Sequence, residues 1–116
     1  MQAPATLNLN CYQGANFDYS LTWTLNGTAV NLTGYSARMQ VRTTYDASTA
    51  VLSLTAGTGI TLGGTAGSIL LEADAEQTAA IDDGQYVYDL ELVTSGGYVT
   101  RLLEGNFVVD PEVTRG

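Results

Sequence analysis

Apolar and polar residues alternate with a period of two along most of this chain. Phe17, Tyr19, Leu21, Trp23 and Leu25 alternate with Asp18, Ser20, Thr22 and Thr24. On a β-strand this pattern sends one set to a core and the other to water, whereas a helix would scatter both around its circumference. Asn26-Gly27 follows at once, and both central residues of a tight type I′ hairpin turn require positive φ, which this pair tolerates. A returning strand through Val30 and Leu32 is predicted, ending at Thr33-Gly34. Tyr35, Ala37, Met39 and Val41 then alternate with Ser36, Arg38, Gln40 and Arg42. Arg38 and Arg42 therefore share one strand face, which must be wet or paired with acids.

Further strands are predicted over residues 51–55, 59–62, 67–73, 85–93 and 98–109. In 67–73 two inward sets are open, Ile69, Leu71 and Ala73 or Ser68, Leu70 and Glu72, because Leu70 is apolar too. Gly105 interrupts the last strand. A strand glycine marks a bulge or a close backbone approach, and a bulge there leaves the facing of Leu102 and Leu103 open. One short helical turn is predicted near 74–81, where Asp74 offers an N-cap, Gln77 stands in the capping-box position and Glu76 adds charge suited to the helix N-terminus. Asp82-Asp83-Gly84 ends it.

Seven to nine short strands with a turn about every ten residues define an all-β chain, and the expected architecture is an immunoglobulin-like antiparallel β-sandwich. Residues 81–88, Ile-Asp-Asp-Gly-Gln-Tyr-Val-Tyr, have the form of a tyrosine corner, in which Tyr86 bonds back to the preceding turn. Two residues on stands Tyr88 rather than a cysteine, which excludes the disulfide-bearing variety. Trp23 is a candidate for the large core residue of an early strand, and its ring nitrogen then requires a partner.

A length of 116 residues fits one domain, taken as 1–116. Composition changes the functional picture more. The chain has four arginines, no lysine, no histidine and twelve acids, for a net charge of −8. Nucleic-acid binding and attraction to anionic membranes both depend on basic residues, so neither is expected. Without histidine there is no His-based triad, no imidazole metal site and no imidazole general base, and no enzymatic activity is expected. Cys11 is the lone cysteine and reads as a small buried apolar residue. The start Met1-Gln2-Ala3-Pro4 lacks the basic and apolar run of a secretion signal, so synthesis in a cytoplasm is expected and the sequons at Asn26 and Asn31 read as turns.

Charge is unevenly placed. Residues 1–70 carry Asp18 and Asp46 against Arg38 and Arg42, whereas residues 71–116 carry ten acids against Arg101 and Arg115 and hold the entire excess. Such a half is either a solvated acidic face or a docking surface for a basic partner. The candidate contact residues are Asp89 and Glu91, on one strand face, with Arg38, Arg42 and Tyr98. Asp82-Asp83, with Asp74 and Glu76, does not have the spacing of a calcium loop. Asp89 and Glu91 as a glycosidase pair would lack a deep cleft. The glycine-rich stretches at 57–59 and 63–67 lack the lysine and the strand-to-helix setting of a phosphate loop. No cofactor and no metal is predicted. Tyr12, Tyr35, Tyr45 and Tyr98 are candidates for an exposed sugar-stacking face.

Residues 25–42, Leu-Asn-Gly-Thr-Ala-Val-Asn-Leu-Thr-Gly-Tyr-Ser-Ala-Arg-Met-Gln-Val-Arg, resemble a pattern of small tailed-bacteriophage proteins, as do Gly84-Gln-Tyr-Val-Tyr-Asp-Leu-Glu-Leu92 and residues 103–115. Together these runs are similar to the immunoglobulin-like N-terminal domain of phage upper-baseplate proteins. The resemblance implies a non-enzymatic structural or adaptor component of a virion, in the baseplate, tail, neck or head surface, with other virion proteins and further copies of itself as partners. Upper-baseplate proteins carry additional domains and this chain ends at Gly116, so a small accessory unit is the expectation. A sandwich edge, or the segment before Leu7, is expected to pair with a neighbouring subunit. The alternative is a carbohydrate-binding module that attaches a particle to host glycans.

Overall fold

The computed structural model describes residues 4–114; the expectations resting on Met1-Gln2-Ala3 and on Arg115 lie outside the described residues. Its strands are β1 (Ala5–Thr6), β2 (Leu9–Tyr12), β3 (Phe17–Thr22), β4 (Thr24–Leu25), β5 (Thr28–Ala29), β6 (Ser36–Arg42), β7 (Leu52–Ala56), β8 (Gly59–Leu62), β9 (Ser68–Ala73), β10 (Gly84–Val93) and β11 (Val99–Asp110). A helical turn, α1 (Ala75–Ala79), lies between β9 and β10. Apart from the hairpin β4–β5, the strands form one hydrogen-bonded path, β1-β11-β10-β6-β7-β8-β9-β3, with β2 also on β11. This path folds over on itself. Phe17 on β3, at one end, meets Phe107 on β11, near the other, with ring centroids 5.4 Å apart in an edge-to-face arrangement. The bend falls at the β7–β8 step, which holds two paired positions only. The result is the all-β, immunoglobulin-like sandwich: β1, β2, β11, β10, β6 and β7 in one layer, β8, β9 and β3 in the other.

Pairing is not wholly antiparallel as expected. β1 and β2 run parallel to β11, and β7 parallel to β8. Ala5 and Thr6 are thus paired with Leu103 and Glu104 of their own chain. One edge of β1 is thereby used within the chain; its other edge ends the hydrogen-bonded path, which is where the neighbour expected for the segment before Leu7 would pair.

The core is what alternation dictates. Ala37, Met39 and Val41 of β6, Tyr86, Tyr88, Leu90 and Leu92 of β10 and Phe107 and Val109 of β11 are buried together with Ile69, Leu71 and Ala73 of β9. This resolves the open facing of β9, with Leu70 half-exposed on the outer side. Asn26 and Gly27 take φ of 53° and 80°, as their hairpin requires. The pattern breaks beside them: β3 stops at Thr22, Trp23 is buried, and Leu25 is exposed despite its phase. The returning strand is shorter than predicted. β5 covers Thr28–Ala29, and Leu32 reaches the core beyond it on a segment whose amide bonds to the Gly64 carbonyl.

At α1 the capping box is complete, the Asp74 carboxylate accepting from the Gln77 amide at 2.8 Å and the Gln77 side chain from the Asp74 amide at 3.0 Å. Thr78, unremarkable in the sequence, is fully buried there. Its hydroxyl donates to the Ala15 carbonyl and accepts from the Gly14 amide, tying the helical turn to the β2–β3 loop. The tyrosine corner is present as expected: Tyr86 donates its hydroxyl to the Asp82 carbonyl at 2.6 Å.

Candidate functional site

The outer face of β6, β10 and β11 collects four of the five predicted contact residues. Strand alternation projects Arg38, Gln40 and Arg42 from β6 and Val87, Asp89 and Glu91 from β10. Register then places Glu91 opposite Arg38 and Asp89 opposite Gln40. The Arg38 Nε donates to Glu91 Oε1 at 2.7 Å. Arg42 turns away from the acids and donates to Gln40 Oε1 and to the Ala47 carbonyl, each at 2.7 Å.

β11 adds two residues that sequence reasoning missed. A bulge between β10 and β11 sets Leu90 opposite Leu103 and Glu91 opposite Arg101, leaving Leu102 as the extra residue. A bulge re-aims the residues beside it. Arg101 and Glu104, three positions apart, thereby reach the same outer face, while Leu102 and Leu103 are both buried. This answers the question of their facing and corrects the position of the bulge, which lies at Leu102 and not at Gly105. The Arg101 guanidinium stands 3.5 Å from both Asp89 Oδ2 and Glu104 Oε1. It sits between two carboxylates that are direct cross-strand partners, a pairing that would otherwise be repulsive.

Partial burial, and then the negative charges of Glu91 and Glu104, push the Asp89 carboxyl above its ordinary value, with Arg101 and Arg38 pulling the other way. A carboxyl raised on folding favours its protonated form in the folded state. Its ionisation therefore costs stability as pH rises through the folded-state value, and that cost is absent at pH below the ordinary carboxylate range. Asp89→Asn should raise the melting temperature modestly at pH 7 and leave it unchanged at pH 3, which thermal denaturation at the two pH values checks. Equal shifts at both would show that Asp89 ionisation carries no cost.

Between these side chains lies a shallow depression of about 100 Å³ lined by Gln40, Arg42, Tyr45, Val87, Asp89, Arg101 and Glu104. Sites that enclose a small molecule run to roughly 300–1,000 Å³, so this one can hold at most part of a surface-bound group. Tyr45 stands at its rim, 81% exposed. Tyr98 does not line it. That ring is exposed beyond the β10–β11 turn, which is closed by bonds between Thr94 and Tyr98. Of the other tyrosines considered for an exposed face, Tyr12 is exposed, whereas Tyr35 packs against the core with its ring edge-to-face on Trp23. Burial and the Asp110 charge push the Cys11 thiol up to about 11, so it stays protonated and inert. Among the described residues, no three His, Cys, Asp or Glu side chains converge as a metal ion requires. Nor is any helix there long and apolar enough to cross a membrane.

The molecule so described is an immunoglobulin-like sandwich with an ion-paired outer sheet face. No family model matches its sequence, and no curated protein matches it. Among solved structures it is similar to CopC from Methylosinus trichosporium OB3b, at 16% identity over 93% of this chain and 90% of that one, with a TM-score of 0.48. It is also similar to the extracellular domains of the voltage-gated sodium channel beta4 subunit, at 12% identity over 97% and 98% of the two chains, with a TM-score of 0.42. Similarity this slight does not transfer a task, since one fold hosts many.

Proposed function

We propose that this protein is a non-enzymatic structural or adaptor unit of a tailed-phage particle that acts through repeated protein–protein contacts. The observation that carries the building-block reading is the outer face of β6, β10 and β11. Its ionisable side chains lie across the outside of the sheet and pair with one another, Arg38 with Glu91 and Arg101 with Asp89 and Glu104, instead of converging on an enclosed pocket. An open face of interleaved charges suits docking, where complementary potentials set register and exclude wrong partners. Each contact can be weak alone and strong in an array. The phage assignment rests on the sequence runs around residues 25–42, 84–92 and 103–115. A virion would be the place of action, with other virion proteins and copies of the chain as neighbours.

Mass spectrometry and image reconstruction of purified particles test this reading; a chain absent from every particle would overturn it. Reversing Asp89 and Glu91 to lysine together should reduce incorporation into particles severalfold if this face docks. Unchanged incorporation would remove the face from the assembly contacts.

A second reading, a carbohydrate-binding surface, is favoured by one observation: the exposed Tyr45 ring beside a depression lined by Gln40, Asp89 and Glu104. An aromatic face flanked by hydrogen-bonding groups is a sugar platform in miniature. Glycan-array binding that Tyr45→Ala abolishes would support it, and a blank array would dismiss it.

A further inference from the structure

β3 ends the hydrogen-bonded path, and β9 is its one paired neighbour among the described residues. Which of its backbone groups are free follows from parity. The Trp23 amide donates to the Gly67 carbonyl at 2.9 Å, one step beyond the β3–β9 register. In an antiparallel ladder the bonded positions recur every second residue. Leu21, Tyr19 and Phe17 therefore bond to β9, and the amides and carbonyls of Asp18, Ser20 and Thr22 point off the edge of the sheet. Among the described residues, none of these outward groups has a hydrogen-bond partner outside the ladder.

Natural sheets blunt such edges with lysine, proline, bulges or brevity. β3 runs six residues without a break, the chain has no lysine, and its two prolines stand at 4 and 111. The free edge of the other layer is weaker, with two residues in β1 and four in β2 separated by Leu7 and Asn8. The inner side of the β3 edge is also incompletely covered. Tyr19 and Leu21 are half-exposed, and a cleft lined by Ala5, Leu21, Trp23, Leu102 and Leu103 opens between the layers there. The Trp23 indole nitrogen is buried with no partner.

The geometry points to antiparallel pairing of β3 with β3 of a second copy, about a two-fold axis at Ser20. In this register Ser20 faces its own counterpart, and Asp18 faces Thr22 of the partner subunit, as Thr22 faces Asp18 of the partner subunit. All three outward positions are then bonded, and each carboxylate lies beside a hydroxyl. On the inner side Tyr19 lies opposite Leu21 of the partner subunit, an aromatic–aliphatic cross-strand pair. Sliding the axis to Tyr19 or Leu21 leaves an outward position without its match within β3, and centring it on Asp18 sets carboxylate against carboxylate. A second copy is the occupant because the edge is complementary to itself, as a two-fold interface must be. The inference rests on the building-block reading in that it supplies one of the repeated contacts.

The full chain should sediment as a monomer–dimer equilibrium between micromolar and millimolar concentration. Ser20→Cys should give a disulfide-linked dimer on mild oxidation, because Cα atoms of such a pair lie about 5.5 Å apart. The native chain should give none, since Cys11 is buried. Ser20→Pro removes an outward amide and leaves the bonds to β9 in place, as an edge strand tolerates. It should weaken the dimer at least about tenfold, as expected for loss of a symmetric pair of hydrogen bonds, while far-ultraviolet circular dichroism stays unchanged. A monomer at every concentration, a dimer indifferent to Ser20→Pro, or no Ser20→Cys cross-link would each overturn the inference. Ser20→Pro chains incorporated at the wild-type copy number would overturn it and leave the building-block reading standing. A dimer in solution from a chain missing from particles would do the reverse.

Discussion

Gly105→Ala is expected to be among the most destabilising single substitutions in this protein, although it adds only one carbon. Gly105 pairs with Tyr88 across β10 and β11, and its neighbours on the core side are Leu103 and Phe107. A side chain at 105 would point into the core, but that space is already taken. A Cβ there would collide with the Leu7 carbonyl oxygen, with the carbonyl carbon at 2.9 Å and Asn8 Oδ1 at 3.1 Å. The obstacle is mostly backbone, which cannot swing aside as a side-chain tip can.

Leu7 is also anchored. Its carbonyl accepts the Tyr88 hydroxyl at 2.6 Å, its amide donates to the Glu104 carbonyl at 2.9 Å, and the Asn8 side chain accepts from the Asn106 amide. Displacing it would break these bonds and loosen β1. Overpacking alone costs about 1–3 kcal/mol, and the buried tyrosine hydroxyl left without its acceptor adds about 1–3 kcal/mol more. Urea denaturation of Gly105→Ala should thus show a loss of about 2–6 kcal/mol, combining these terms. A loss under about 0.5 kcal/mol, the range of ordinary surface changes, would mean that the N-terminal segment moves aside freely.

Gly105 also shows how far the sequence could be read. A glycine inside an alternating strand announces that something occupies the place of its side chain, but it does not say what. Here the occupant is a carbonyl from a residue 98 positions earlier, and no local pattern carries that separation. The bulge at Leu102 was hidden for a related reason. Arg101-Leu102-Leu103-Glu104 reads equally well with either leucine inward, and only the fixed register of β10 against both β6 and β11 decides it. Arg101 and Glu104 were consequently absent from the predicted site although they complete its charge lattice. Local signals fared better where the physics is local: the Asn26-Gly27 turn, the Asp74–Gln77 capping box and the tyrosine corner each depend on residues within four positions of one another. The outer face of β6 and β10 was legible for the same reason, since period two alone puts Arg38 and Arg42 on one side of β6 and Asp89 and Glu91 on one side of β10. That the two strands are neighbours, and that Arg38 lands on Glu91, is tertiary information.

Phe107→Ala should remove about 3–5 kcal/mol, the range for deleting a fully buried aromatic ring. Phe107 is wholly buried and joins the layers, touching Phe17 of β3 edge-to-face at 5.4 Å and Tyr88 of β10 at 6.4 Å. The cavity left behind would lie where the folded-over sheet closes on itself, against aromatic neighbours too stiff to fill it. Phe107→Leu keeps most of the volume and should cost less than half as much. Leu25→Ala supplies the contrast. By alternation Leu25 belongs to the same inward set as Phe17 and Trp23, yet it is 47% exposed because the chain leaves the sheet at Trp23 for the β4–β5 hairpin. Its truncation should change stability by no more than about 0.5 kcal/mol, as at ordinary surface sites. Urea midpoints of the three variants should therefore rank by closure between the layers, against the equal weights that alternation assigns. A Leu25→Ala loss approaching that of Phe107→Ala would mean that β3 continues through Trp23 and that the two-layer arrangement drawn from the Phe17–Phe107 contact is wrong.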